Sequence, residues 1–149
     1  EAERLVMGPD CTTQSVSNTA WGLAKLRFAN VPNFFDLMDR RAEWLVSTGS
    51  PQCVSNLAWA CGKLGIAAPN LFAEINSHAA ALVAAGSPQD VANMSLACGR
   101  LSVTAPRLVA EMQKHAERLM KDANPHEVGI ILWGCRALMV DMPESFGVR

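Results

Sequence analysis

The sequence predicts an all-α protein, a right-handed α-solenoid of about four stacked helix-turn-helix repeats with a period of 37–38 residues. Three observations predict it. The stretch CVSNLAWACGKLG, Cys53 to Gly65, recurs as SVSNTAWGLAKL from Ser15, DVANMSLACGRL from Asp90 and EVGIILWGCRAL from Glu127. Gln14, Gln52, Gln89 and His126 mark one place in these copies and are separated by 38, 37 and 37 residues. Pro32, Pro69, Pro106 and Pro143 follow at intervals of 37. Self-similarity at this period is the mark of one supersecondary unit stacked on copies of itself, with a core shared between neighbours.

The elements follow in order. Residues 1–7 read as the end of a second helix, because EAERLV mirrors HAERLM at 115–120, and an internal piece of a longer protein is expected. Four units then run over 12–47, 50–85, 87–122 and, incomplete, 124–149. The first helix of a unit starts at Ser50-Pro51, Ser87-Pro88 and Asn124-Pro125, where a side-chain oxygen can cap free N–H groups and proline suits the first turn. Thr12 takes the cap position in the first unit, and Asp90 and Glu127 complete capping boxes. These helices should end near Leu26, Leu64, Leu101 and Leu138, with Gly65 as a stop. The second helix should begin at each repeated proline and run unbroken to about Val46, Ala85 and Lys121, closed by Gly49, Gly86 or Asp122-Ala123.

Half the residues are hydrophobic and 18% are charged, which suits helices covered on two sides and argues against disorder. A net charge of -1 gives no global attraction to nucleic acid or anionic lipid, so any basic surface must be local. No apolar run reaches the length of a membrane span, and no membrane insertion is expected. Cys61, Cys98 and Cys135 occupy one repeat position, filled by Leu23 in the first unit, which predicts buried structural thiols. No metal, cofactor or small-molecule substrate is expected. His78 and His115 share a position with Arg41, no carboxylate completes a triad or metal site, and the chain is expected not to be an enzyme.

At about 100° per residue, the first helix separates into faces. Val54, Leu57, Ala58, Cys61 and Leu64 form the apolar side, with small Ser55 and Gly62 allowing close stacking; Gly22, Gly99 and Gly134 are expected to serve close packing likewise. Opposite lie Gln52, Asn56, Trp59 and Lys63. Their counterparts are Gln14, Asn18, Trp21 and Lys25, then Gln89, Asn93, Leu96 and Arg100, then His126, Ile130, Trp133 and Ala137. Stacked units would turn these positions into parallel ladders. Lys25, Lys63 and Arg100, with Arg136 one residue out of register, could meet phosphates or simply complement helix C-termini. Exposed tryptophans could stack bases, but Leu96 at the same position favours packing between units. Identical Asn18, Asn56 and Asn93 favour a buried amide ladder bonded to neighbouring backbone. Charged residues of the second helix, among them Asp36, Asp39, Arg41 and Arg118, read as a solvated outer face with pairs three or four residues apart.

The combination Asn18-Trp21-Gly22-Lys25-Leu26, repeated as Asn56-Trp59-Ala60-Lys63-Leu64, resembles the octotricopeptide repeat family and the related repeats that precede RAP domains in organellar proteins. The third copy has Leu96 for the Trp, and the fourth has Ile130 for the Asn and Ala137 for the basic residue. The resemblance implies a non-catalytic helical-repeat module that binds single-stranded or ribosomal RNA in a mitochondrion or chloroplast. Gln14, Lys25, Gln52, Lys63, Gln89, Arg100, His126 and Arg136 would be its RNA contacts, and Asn18, Trp21, Asn56, Trp59, Asn93 and Trp133 its structural signature. The alternative it implies is a scaffold subunit of an organellar ribonucleoprotein such as a mitochondrial ribosome, contacting other protein subunits.

Overall fold

The computed structural model describes residues 2–31 and 33–137, all of it helix and connecting turn with no strand among the described residues. The elements are α1 (Ala2–Met7), α2 (Thr13–Lys25), α3 (Phe34–Arg40), α4 (Ala42–Thr48), α5 (Pro51–Leu64), α6 (Pro69–Ser77), α7 (Ala79–Ala85), α8 (Pro88–Leu101), α9 (Pro106–Lys114), α10 (Ala116–Asp122) and α11 (Pro125–Ala137). Pro32, Leu138, Pro143, the rest of 138–149 and the Cys135 side chain lie outside the described residues.

The long helices start where their caps place them. Ser50 Oγ accepts from the Cys53 amide at 3.1 Å. Reciprocal boxes join Ser87 with Asp90 (3.2 and 3.0 Å) and Asn124 with Glu127 (2.8 and 2.9 Å). Thr12 forms a box too, because Ser15 accepts from its amide and it accepts from that of Ser15, both at 3.0 Å. At the other end the chain turns through the left-handed region at Arg27, Gly65 and Ser102, with φ of 59°, 67° and 53°. The next amide then returns to a carbonyl of the last turn: Phe28 to Leu23, Ile66 to Cys61 and Val103 to Cys98, at 2.8 to 2.9 Å.

The second helix of the first three units departs from expectation. It is two short helices, broken at Arg41, His78 and His115, where φ is -97° to -101° and ψ is 15°. No proline or glycine marks the break. Its cause is packing between neighbours: α4 lies on α6 and α7 on α9, while α6 also meets α3 and α9. Each half buries its apolar side on a different partner, Leu71, Phe72 and Ile75 from α6, then Ala79, Leu82 and Val83 from α7. The Glu74 carbonyl at the bend accepts from both the amide and Nδ1 of His78.

The same layer corrects the reading of its charges as merely solvated. Helices α6 and α9 begin after Ala68 and Ala105, which have no side chain able to cap. Asp39, 8% exposed, supplies the acceptor for α6, taking the Leu71 amide at 2.8 Å, the Asn70 amide at 3.3 Å and Asn70 Nδ2 at 3.1 Å. Asn76, its counterpart 37 residues on, accepts from Arg107 and Leu108 at 2.9 and 3.4 Å. Arg41 donates to the Val6 carbonyl, and Arg118 to those of Val83 and Gly86, binding the ends of α1 and α7. Glu74–His78 and Glu111–His115 are pairs four residues apart, 3.5 and 3.8 Å.

In the first layer α2, α5, α8 and α11 lie side by side in sequence order. Close approach depends on small residues: a Cβ on Gly62 would stand 2.9 Å from Ala97 Cα, and one on Gly134 would collide with Ser95. Gly22 differs, with nothing within 4 Å of the Cβ it would carry. Cys61 and Cys98 are fully buried. Burial pushes both thiols up to about 12, for Cys61 with help from the negative charge of Asp39.

Candidate ligand-binding face of the first layer

Helix α2 meets α1, α5 meets α6 and α7, and α8 meets α10, and each of α2, α5, α8 and α11 also carries exposed residues on another face. All eight residues expected to contact RNA are exposed: Gln14, Lys25, Gln52, Lys63, Gln89, Arg100, His126 and Arg136. The glutamines stand at the beginnings of their helices, and Lys25, Lys63 and Arg100 stand at the ends.

The tryptophans are not sealed between units. Trp21 and Trp133 are 43% and 46% exposed, and Trp59 is half-buried against the core. The expected packing between units is therefore met in part, by Trp59 against the core and Trp21, while Trp21 and Trp133 keep much of their rings exposed. Trp21 and Trp59 face across α2 and α5 with centroids 6.5 Å apart and planes inclined by 32°. Lys25 Nζ lies 5.1 Å from the Trp21 centroid and 5.7 Å from that of Trp59, and Lys63 Nζ lies 5.5 Å from Trp59. The spacing of four residues puts each lysine over the ring of its own helix, and Lys25 also reaches the next. Each such contact contributes about 0.5–1 kcal/mol at an exposed site. The result is an alternating row, Trp21, Lys25, Trp59, Lys63. At Leu96, half-buried, the aromatic row is interrupted before Trp133.

The amide ladder is also corrected. Asn18 is exposed, Asn56 and Asn93 are half-buried, and none bonds through its side chain to another described residue. The neighbouring helix offers these amides no free group, because its backbone N–H and C=O are spent within the helix. Asn18 is exposed together with the glutamines, and Asn56 and Asn93 keep part of their surface open to solvent.

Charge is divided unevenly. The four first-layer helices carry Lys25, Lys63, Arg100 and Arg136 against Asp90 and Glu127, and both carboxylates are occupied by caps. Asp90 also accepts from Ser55 at 3.2 Å. The second layer mixes both signs, Asp36, Asp39, Glu43, Glu74, Glu111, Glu117 and Asp122 standing with Arg40, Arg41, Arg107, Lys114, Arg118 and Lys121. A net charge of -1 thus conceals a locally basic face.

One residue escaped the sequence reading. Arg27, just past α2, lines a recess of about 400 Å³ with Ala29, Gly62, Lys63, Leu64 and Arg100. The signal was its alignment with Gly65 and Ser102, the other left-handed positions. Leu26 and Phe28 beside it are exposed, as is Met7. Among the described residues no group of three His, Cys, Asp or Glu side chains could hold a metal ion, and no helix is long and apolar enough to cross a membrane. No protein-family model matches the chain, and no curated protein aligns with it significantly.

Proposed function

We propose that this chain is a non-catalytic module that binds single-stranded RNA along its first-layer face. The helices would follow a right-handed α-solenoid of about four repeats, as in the octotricopeptide repeats it resembles, and an organellar location would go with that resemblance. The observation that carries the reading is the row Trp21, Lys25, Trp59, Lys63, exposed at Trp21 and both lysines and half-buried at Trp59. Indole faces accept bases of any sequence for about 1–3 kcal/mol each, and cations between them meet the phosphates that join those bases. Unbonded amides at Gln14, Asn18, Gln52, Asn56 and Gln89 offer hydrogen bonds to base edges.

The test is binding of single-stranded RNA over a salt series, beside the combined Lys25→Glu, Lys63→Glu and Arg100→Glu variant. The expected slope of log affinity against log salt falls by about 2 in the variant, at about 0.7 per phosphate neutralised. An unchanged slope overturns the assignment of this face. A second reading draws on exposed Trp21, Leu26 and Phe28, an apolar cluster suited to a protein partner in a larger assembly. Absence of RNA binding at low salt would favour that scaffold role.

A further inference from the structure

We infer that Arg27, Lys63 and Arg100 form a phosphate seat on the loop side of the aromatic row, holding backbone phosphate of the strand whose bases stack on Trp21 and Trp59. The inference rests on the RNA reading for its strand, but its residues carry it separately. Three cations from three successive helix ends line one recess, and none of the six lining residues is acidic. None of the three is ion-paired with another described residue. Gly62 brings them together, because its missing side chain lets α8 approach α5 and sets Arg100 beside Lys63.

Helix C-termini oppose an anion, so the sign of the local field has to be weighed. The ends of α2, α5 and α8 contribute about -0.5 charge each, roughly -1.5 together, against three full positive charges. The balance is positive. Arg27 adds a second argument. It holds φ of 59° where the counterpart in the next unit is Gly65, so its backbone takes a conformation that glycine adopts without strain. Ser102 takes the same conformation in the third unit, so the turn accepts residues other than glycine; what sets Arg27 apart is the charge it adds to the recess that Lys63 and Arg100 also line. The neighbouring recess supplies the contrast. There Gly65 stands in that place, and Arg100 is the one charged residue among its eight, with Ala67, Ala68, Pro69 and Val103 making it apolar.

The decisive variant is Arg27→Gly, because it relieves the left-handed strain and should not lower the melting temperature. A twelve-nucleotide oligo(U) is titrated over a salt series with the wild type, Arg27→Gly and Lys25→Glu, and inorganic pyrophosphate is titrated separately by thermal shift. The seat predicts about tenfold weaker oligo(U) binding in Arg27→Gly, a salt slope lower by about 0.7, and loss of the stabilisation that pyrophosphate gives the wild type. If Lys25→Glu weakens oligo(U) binding while Arg27→Gly leaves affinity and slope unchanged, the seat is overturned and the RNA reading stands. If oligo(U) does not bind but pyrophosphate stabilises the wild type and not Arg27→Gly, the seat stands and the RNA reading falls. A lower melting temperature in Arg27→Gly, with pyrophosphate response intact, makes Arg27 a structural residue and overturns the seat.

Discussion

The two helical layers use their polar residues in opposite ways. In the second layer Asp39, Asn76, Arg41 and Arg118 are consumed by helix ends of neighbouring units. In the first layer Gln14, Asn18, Gln52, Asn56, Gln89 and Asn93 have amides that bond nothing described. Asp39 and Asn76 recur at the same period as the glutamines and asparagines of the first layer, so in sequence the two kinds look alike. The difference is whether the neighbour presents unpaired backbone: helix starts at Ala68 and Ala105 do, and the flanks of α5 and α8 do not. Bonded polar groups hold the units together, and unbonded ones remain for a ligand.

Substitutions can break this contrast. The largest effect is expected at Asp39→Ala, which strands the Leu71 and Asn70 amides and should cost about 2–3 kcal/mol by urea denaturation. Asp39→Asn should cost less, because Asn76 performs the same office. Gly62→Ala should cost about 1–2 kcal/mol as Ala97 is pushed away, whereas Gly22→Ala, with open space around it, should stabilise by up to about 1 kcal/mol. Ser95→Ala should stabilise by about 1 kcal/mol, since its buried hydroxyl has no partner and Ala58 fills the equivalent place. Smallest of all, Asn18→Ala and Gln52→Ala should change stability by less than about 0.5 kcal/mol. A cost at Asn18 as large as at Asp39 would erase the distinction between the layers.

The buried thiols add a pH dependence. Cys61 and Cys98 ionise near 9.0 when unfolded and near 12 in the fold, so the unfolded chain loses these protons first. Their contribution is whole below pH 9 and is lost as pH rises toward 12. Cys61→Ala combined with Cys98→Ala should flatten that alkaline decline in thermal melts, whatever it does to stability at pH 7.

Much of this was legible in the sequence. Caps at Thr12, Ser50, Ser87 and Asn124, the stop at Gly65 and the buried cysteines follow from local chemistry and period. What was not legible depends on neighbours. The bend at Arg41, His78 and His115 has no breaker residue, since it arises from two halves seeking different partners. Asp39 reaches amides 31 and 32 residues away, a spacing that no helical wheel displays. Leu96 suggested tryptophans packed between units, yet a half-buried site accepts Leu as well as an indole. Arg27 was hidden because its role appears only when the left-handed positions 27, 65 and 102 are set side by side.

The most direct measurement is tryptophan fluorescence during titration with single-stranded RNA at low salt, using Trp44→Phe so that Trp21, Trp59 and Trp133 alone report. Stacking predicts quenching that saturates with binding, weakens as salt rises and shrinks most in the additional Trp59→Leu variant. RNA binding measured in parallel with no change in indole emission would place the strand elsewhere and contradict the assignment of the first-layer face.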